Sequence, residues 1–156
     1  MAKIENRLKE MGIQIPETPV PVAEYLPSVM FDGNMVYVSG QDCRKNGKLL
    51  YEGKLGAELS IEQGKECARQ SILNCLAALK YTIGDFDRVE RIVKVLGFVA
   101  SAPGFGGQPY VINGASELLT EVFGDRGRHA RAALWTNELP FGTPVEIEMI
   151  VELKKE

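Results

Sequence analysis

The sequence predicts an α+β domain in which a mixed β-sheet carries two long helices packed on one face. Three observations predict it. The stretches from Ser60 to Gly84 and from Pro109 to Gly124 repeat apolar residues at steps of three and four, the spacing of helices with one buried face. Between them, Ile92 to Ala100 is apolar on both sides apart from Lys94, the pattern of a strand central in its sheet. Strand and turn signals flank this helix–strand–helix core at both ends, which suits a sheet with its helices in a single layer. Such a sheet leaves its other face bare. Arg131, Ala133, Glu146 and Glu148 are expected there, facing solvent or another subunit.

Each element has its own justification. Ile4, Leu8 and Met11 make a short amphipathic helix that Gly12 ends, a helical extension at about 1–12 on a single domain spanning 1–156. Pro16, Pro19 and Pro21 then enforce an extended segment, since proline removes donors and blocks helix. Val29-Met30-Phe31, Asp32-Gly33 and Met35 to Val38 read as strand, turn and strand. Asn46-Gly47 repeats the signal between short strands around Cys43 and Leu49-Tyr51. Ser60 with Gln63 is a capping box opening the first long helix. Ile61, Gly64, Ala68, Ile72, Cys75 and Leu79 form its buried face, and Gly84 stops it. Ser101 to Gln108 is a glycine-rich loop without phosphate-loop spacing. Pro109 suits the first turn of the second long helix, whose core face is Val111, Ala115, Leu118, Leu119, Val122 and Phe123, with Gly124 at its end.

The closing segment carries the most chemistry. From Val145 to Leu153, apolar and acidic residues alternate, as in a strand with one buried face. His129 to Ala133 reads as a preceding strand, and Leu139 to Pro144 as the loop of an antiparallel hairpin joining the two. An arginine on such a hairpin, Arg131, would lie beside Glu146 or Glu148. One reading is a cross-strand ion pair of little energetic consequence. The other is a guanidinium fork for a ligand carboxylate, with a side-chain carboxylate beside it to handle a proton or a water. His129, the single histidine, is a candidate base but reads better as a surface residue at a strand start.

Composition narrows the function classes. At 156 residues the chain can bury a core of its own. A formal net charge of −3 and a pI near 5.4 argue against a dedicated nucleic-acid binder. No apolar run reaches a membrane span, and the N-terminus lacks a signal-peptide core, so a cytoplasmic protein is expected. Cys43, Cys67 and Cys75 are odd in number without CxxC spacing, which fits free thiols in a reducing compartment. With one histidine, no metal site is expected.

The residues resemble the YjgF/Rid family, the reactive intermediate deaminases, also known as endoribonuclease L-PSP or translation inhibitor proteins. The similarity runs from about Val22 to Leu153. Tyr25 is followed by Gly33-Asn34 and Met35-Val36-Tyr37-Val38-Ser39-Gly40-Gln41, like the family's GN-hydrophobic-SGQ strand. Gln70 and Asn74 to Ala78 match its first long helix, and Asn113 an asparagine at the start of its second. Ala130-Arg131, Leu139-Pro140 and Glu146-Ile147-Glu148 match its terminal signature. Ala132-Ala133 stands where many members have Ser-Cys, which marks a divergent branch. Trp135 shares a strand face with Arg131.

The resemblance implies a chorismate-mutase-like α+β fold and a homotrimer with pockets at its subunit interfaces. It implies hydrolysis of 2-imino acids to 2-oxo acids and ammonia, without a cofactor. On that basis Arg131 would grip the substrate carboxylate and Glu146 would handle the water or its proton. Tyr25, Ser39, Gly40, Asn113 and Ala133 would complete the binding site. Two rival functions remain: a non-catalytic trimer that binds a 2-oxo or amino acid, and an endoribonuclease. No DNA or membrane partner is implied, and little in the residues favours RNA.

Overall fold

The computed structural model describes residues 2–155. Helix α1 (Lys3–Glu10) is followed by strands β1 (Ser28–Phe31), β2 (Met35–Gln41), β3 (Arg44–Lys45) and β4 (Lys48–Leu49). Then come α2 (Ile61–Ile83), β5 (Val89–Ala100), α3 (Gln108–Phe123), β6 (Ala130–Thr136) and β7 (Val145–Leu153). The main sheet has the order β1-β2-β7-β5-β6, and β3 and β4 form a small separate ribbon.

Local signals act where the sequence places them. Asn46 and Gly47 both take positive φ (53° and 79°), which a two-residue turn between β3 and β4 needs. Ser60 accepts from the Gln63 amide while the Gln63 side chain accepts from the Ser60 amide, so the capping box is complete. Gly84 ends α2 at φ 74°. Helix α1 is docked by Asp87, whose carboxylate accepts from the Lys3 and Ile4 amides at 2.7 and 2.9 Å.

Both long helices lie on one sheet face. Val36, Val38, Val95, Val99, Ile147, Met149 and Val151 belong to one buried cluster with Ile72, Cys75, Leu79, Val111, Ala115 and Leu118 of the helices. The helices approach so closely at Gly114 that a Cβ there would lie 2.2 Å from the Lys65 carbonyl oxygen. Strand β5 is interior, between β7 and the edge strand β6, while β7 takes the central place; β5 is longer than the apolar run from Ile92, because its first residues pair with the end of β7.

The expected terminal hairpin does not form. Strand β7 pairs antiparallel with β5 and β2, whereas β6 pairs parallel with β5 on the sheet's outer edge. A helix between two consecutive strands favours a parallel crossover, and β5–α3–β6 is one. β5 then occupies the place next to β7 that the hairpin reading gave to β6. Arg131 and Glu146 are therefore not on neighbouring strands.

The register also corrects which face each residue uses. Arg131 and Ala133 stand opposite Val95 and Gly97, residues of the helix-covered face, and Ala133 packs against the core. Glu146 and Glu148 stand opposite Phe98 and Leu96, on the bare face. Only the glutamates, not Arg131 or Ala133, face away from the helices.

Candidate functional site

An open cleft of about 1190 Å³ lies where the chain crosses the end of β2. Tyr25, Gly40, Asp42, Arg44, Phe141 and Glu146 line it. The register of β2 against β7 shifts between Val38 and Gln41, which bends β2 at the cleft. Gly40 sits in this bend. A Cβ there would lie 3.3 Å from the Glu146 carboxyl carbon, so glycine lets that side chain lie against bare backbone. Tyr25 is largely exposed and reaches the cleft from the segment before β1. Ser39 is not in the wall; its hydroxyl donates to the Leu26 carbonyl at 2.6 Å and ties down the segment carrying Tyr25.

Helix α2 holds the cleft's floor. The Asn74 side-chain amide donates to the carbonyls of Asp42 and Arg44, both at 2.9 Å, and its own oxygen accepts from Gln70. Both side chains are buried. The residues that match the family's first helix thus fix the backbone between β2 and β3.

Glu146 is half-buried, and its pKa is raised. Burial is the first cause, followed by the negative charges of Asp42 and Glu148. A carboxyl group tuned upward in a cleft is suited to accept and return a proton near neutrality. Glu148 accepts a hydrogen bond from the Tyr37 hydroxyl at 2.8 Å, so its partner is a tyrosine and not an arginine.

A second cluster surrounds Arg131. Its Nη1 donates to Asn113 Oδ1 at 2.8 Å and to Ser116 Oγ at 3.2 Å, and its Nη2 donates to the Pro109 carbonyl at 3.3 Å. Among the described residues, Nε–H and one Nη2–H remain, one edge of the guanidinium. Asn113 does not cap its helix. It lies within α3 and holds Arg131 instead, while Gly107 occupies the N-cap. His129 is half-buried, with Nδ1 2.6 Å from the Gly127 carbonyl and Nε2 2.9 Å from Ser116 Oγ. Burial lowers its pKa, and the nearby Arg131 charge adds to this. Trp135 lies on the Arg131 side of β6 and donates from Nε1 to the Ser101 carbonyl at 3.1 Å.

The expected site residues therefore divide into two groups. Tyr25, Gly40 and Glu146 meet at the cleft, with Ser39 behind them. Arg131, Asn113 and Ala133 meet at the β6 edge. Strand spacing puts the Cα atoms of Arg131 and Glu146 roughly 14 Å apart, with their side chains on opposite faces.

Sequence reasoning missed Asp42, Arg44 and Phe141. Arg44 Nε donates to Asp42 Oδ2 at 2.8 Å, and its guanidinium carbon lies 4.8 Å from the centre of the Phe141 ring. Phe141 is exposed and holds φ at 62°, unusual for an aromatic residue. An Asp-x-Arg triplet after a bulge and a Phe-Gly pair in a loop carry no signal that would bring them together.

Comparison with known proteins agrees with this fold. The family described as "YjgF/chorismate mutase-like, putative endoribonuclease" matches residues 5–153. Protein TCP17 of Trypanosoma cruzi is 40% identical over 152 residues, 97% of this chain and 94% of its own. The crystal structure of Atu1372 from Agrobacterium tumefaciens, of unknown function, is 41% identical, with a TM-score of 0.87 over 97% of this chain and 92% of that one. A putative endoribonuclease from Shewanella oneidensis is 32% identical, with a TM-score of 0.92 over 97% of this chain and 99% of that one.

Proposed function

The chain belongs to the YjgF/chorismate mutase-like family, and from that premise we propose that it hydrolyses 2-imino acids to 2-oxo acids and ammonia as a homotrimer. The observation that carries this reading is the division of the site residues into two groups. The guanidinium group lies on an edge strand, and the carboxyl group lies in a cleft two strands away and on the other face. A site that uses both needs the β6 edge of one copy against the cleft of another. Exposed apolar residues on the outer strands, among them Val29, Phe31 and Leu134, suit such a contact.

The chemistry follows from the groups available. The free edge of Arg131 grips the substrate carboxylate through two parallel N–H···O bonds. Asn113 and Ser116 fix the guanidinium plane from behind. Glu146, as carboxylate, accepts a proton from water as its oxygen bonds to C2 of the imine, whose C=N electron pair moves to nitrogen. Nitrogen takes a proton from solvent. The resulting carbinolamine collapses to the 2-oxo acid: its nitrogen receives the proton held by Glu146 and leaves as ammonia, while the hydroxyl proton returns to solvent. Imines are already electrophilic, so positioning supplies most of what the reaction needs.

The test is a coupled assay in which a serine or threonine dehydratase generates the imine and semicarbazide traps it. The wild-type protein is expected to suppress trapping and Arg131→Ala to lose that effect. A wild-type protein that is trimeric by sedimentation, binds 2-oxobutanoate and leaves trapping unchanged would replace the deaminase with a binding trimer.

A further inference from the structure

We propose that Arg44 is a second anion anchor, so that the preferred ligands are 2-imino and 2-oxo acids carrying a second carboxylate on the side chain. This rests on the reading above and adds the substrate class. Arg44 is fixed on three sides. Asn74 holds its carbonyl, Asp42 binds its Nε–H, and the Phe141 ring lies across the guanidinium. Asp42 also accepts from the Arg44 amide at 3.1 Å, so one carboxylate sets both backbone and side chain.

What these contacts leave is the informative part. Arg44 makes no hydrogen bond from Nη1 or Nη2 among the described residues, and these groups belong to a side chain that lines the cleft. Four N–H donors in a fixed plane match a carboxylate bidentately, as a flexible ammonium does not. A pre-set guanidinium also loses little rotamer freedom when a ligand arrives. Lys45, next in the chain, and Arg69, one residue before Gln70 on α2, line the same cleft, where they stand against the carboxylates of Glu17, Asp42 and Glu146.

The Phe141 backbone supports the same conclusion. A left-handed aromatic residue is strained unless its surroundings hold it, and such strain collects at ligand sites. Here the turn is held by Gly53 N–H donating to the Gly142 carbonyl at 3.2 Å and by Thr143 N–H donating to the Pro140 carbonyl. Its result is an exposed ring that serves Arg44 as a plate. Glu146 lines the same cleft, so a ligand whose C2 lies at Glu146 can extend its side chain toward Arg44.

The experiment is calorimetric titration with two stable 2-oxo acids of equal chain length, 2-oxopentanedioate and 2-oxopentanoate. The wild-type protein is expected to bind the dicarboxylate about tenfold more tightly. Arg44→Gln should bring that ratio to within about twofold, and Phe141→Ala should reduce it. If Arg44→Gln does not fold, Arg44→Lys must lower the ratio, because it keeps the charge and loses the fork. A wild-type ratio near one, or a ratio that survives loss of the guanidinium, overturns the proposal. Arg131→Ala is read separately: it should weaken both ligands together and leave the ratio in place. If it weakens neither, the anchor role of Arg131 fails, whatever the ratio says about Arg44.

Discussion

Asn113 and Arg131 are joined by a 2.8 Å hydrogen bond from guanidinium to amide oxygen, across the packing of α3 on the edge strand β6. The bond explains why an asparagine lies on the inner side of a helix instead of capping it. Its amide oxygen makes the shortest of the three hydrogen bonds that orient the guanidinium at the sheet edge.

Asn113→Ala should therefore act on substrate binding. One hydrogen bond to a charged group is worth about 1.5–3 kcal/mol. In the dehydratase-coupled assay KM should rise about tenfold or more, with kcat changed much less. A kcat loss at constant KM would mean that Asn113 supports chemistry and not the carboxylate grip.

Glu146 gives a prediction in pH. Its pKa is raised in the folded protein by burial and by Asp42 and Glu148. The folded state therefore holds this proton more tightly than the unfolded chain does. The stabilising contribution is fully present below the unfolded carboxyl pKa and is lost as pH rises through the folded one. Glu146→Gln removes the charge, so its Tm should exceed the wild type at pH 7. The difference should close at about pH 3.5, where both states carry the proton. The same variant should lose deaminase activity at every pH. A Tm difference that persists into acid would show that packing, not charge, is responsible.

Local structure was legible in the residues, and pairing across the sheet was not. The capping box at Ser60, the Asn46-Gly47 turn, and the Gly84 and Gly124 stops are local events, decided within a few residues. That β6 pairs with β5, and not β7, depends on where α3 returns the chain. The alternation in β7 and the small residues of β6 fit either arrangement. A hairpin pairing would put Arg131 on the bare face, and pairing with β5 puts it on the helix-covered one, because register fixes the face of each strand residue. The cleft followed the same rule. Gly40 and Glu146 were readable from a motif, but Arg44 reaches Phe141 through a bend and a strained loop that no spacing announces.

The helix interface can be tested at Gly114. A Cβ there would meet the Lys65 carbonyl oxygen at 2.2 Å, and a backbone atom inside a helix cannot give way as a side chain does. Gly114→Ala should cost about 3 kcal/mol or more by forcing α2 and α3 apart. Gly106→Ala is the control, since nothing lies within 4 Å of its added Cβ. Its stability in urea should match the wild type within about 0.5 kcal/mol.

Asn74 joins stability to the cleft. Its amide serves the carbonyls of Asp42 and Arg44, and its oxygen serves Gln70, all on a buried side chain. Asn74→Ala leaves two carbonyls without their donor and the Gln70 amide without its acceptor, at a cost of about 2–3 kcal/mol in urea unfolding. Asn74→Asp separates donation from size. The aspartate has nearly the same volume and can still accept from Gln70, but it cannot donate, and its charge would face two carbonyl oxygens. It should therefore be at least as unstable as the alanine variant. In both, the backbone carrying Arg44 is released, so the preference for 2-oxopentanedioate should fall even where the protein remains folded. If Asn74→Asp keeps both stability and preference, the floor is held by packing alone, and the two amide bonds are dispensable.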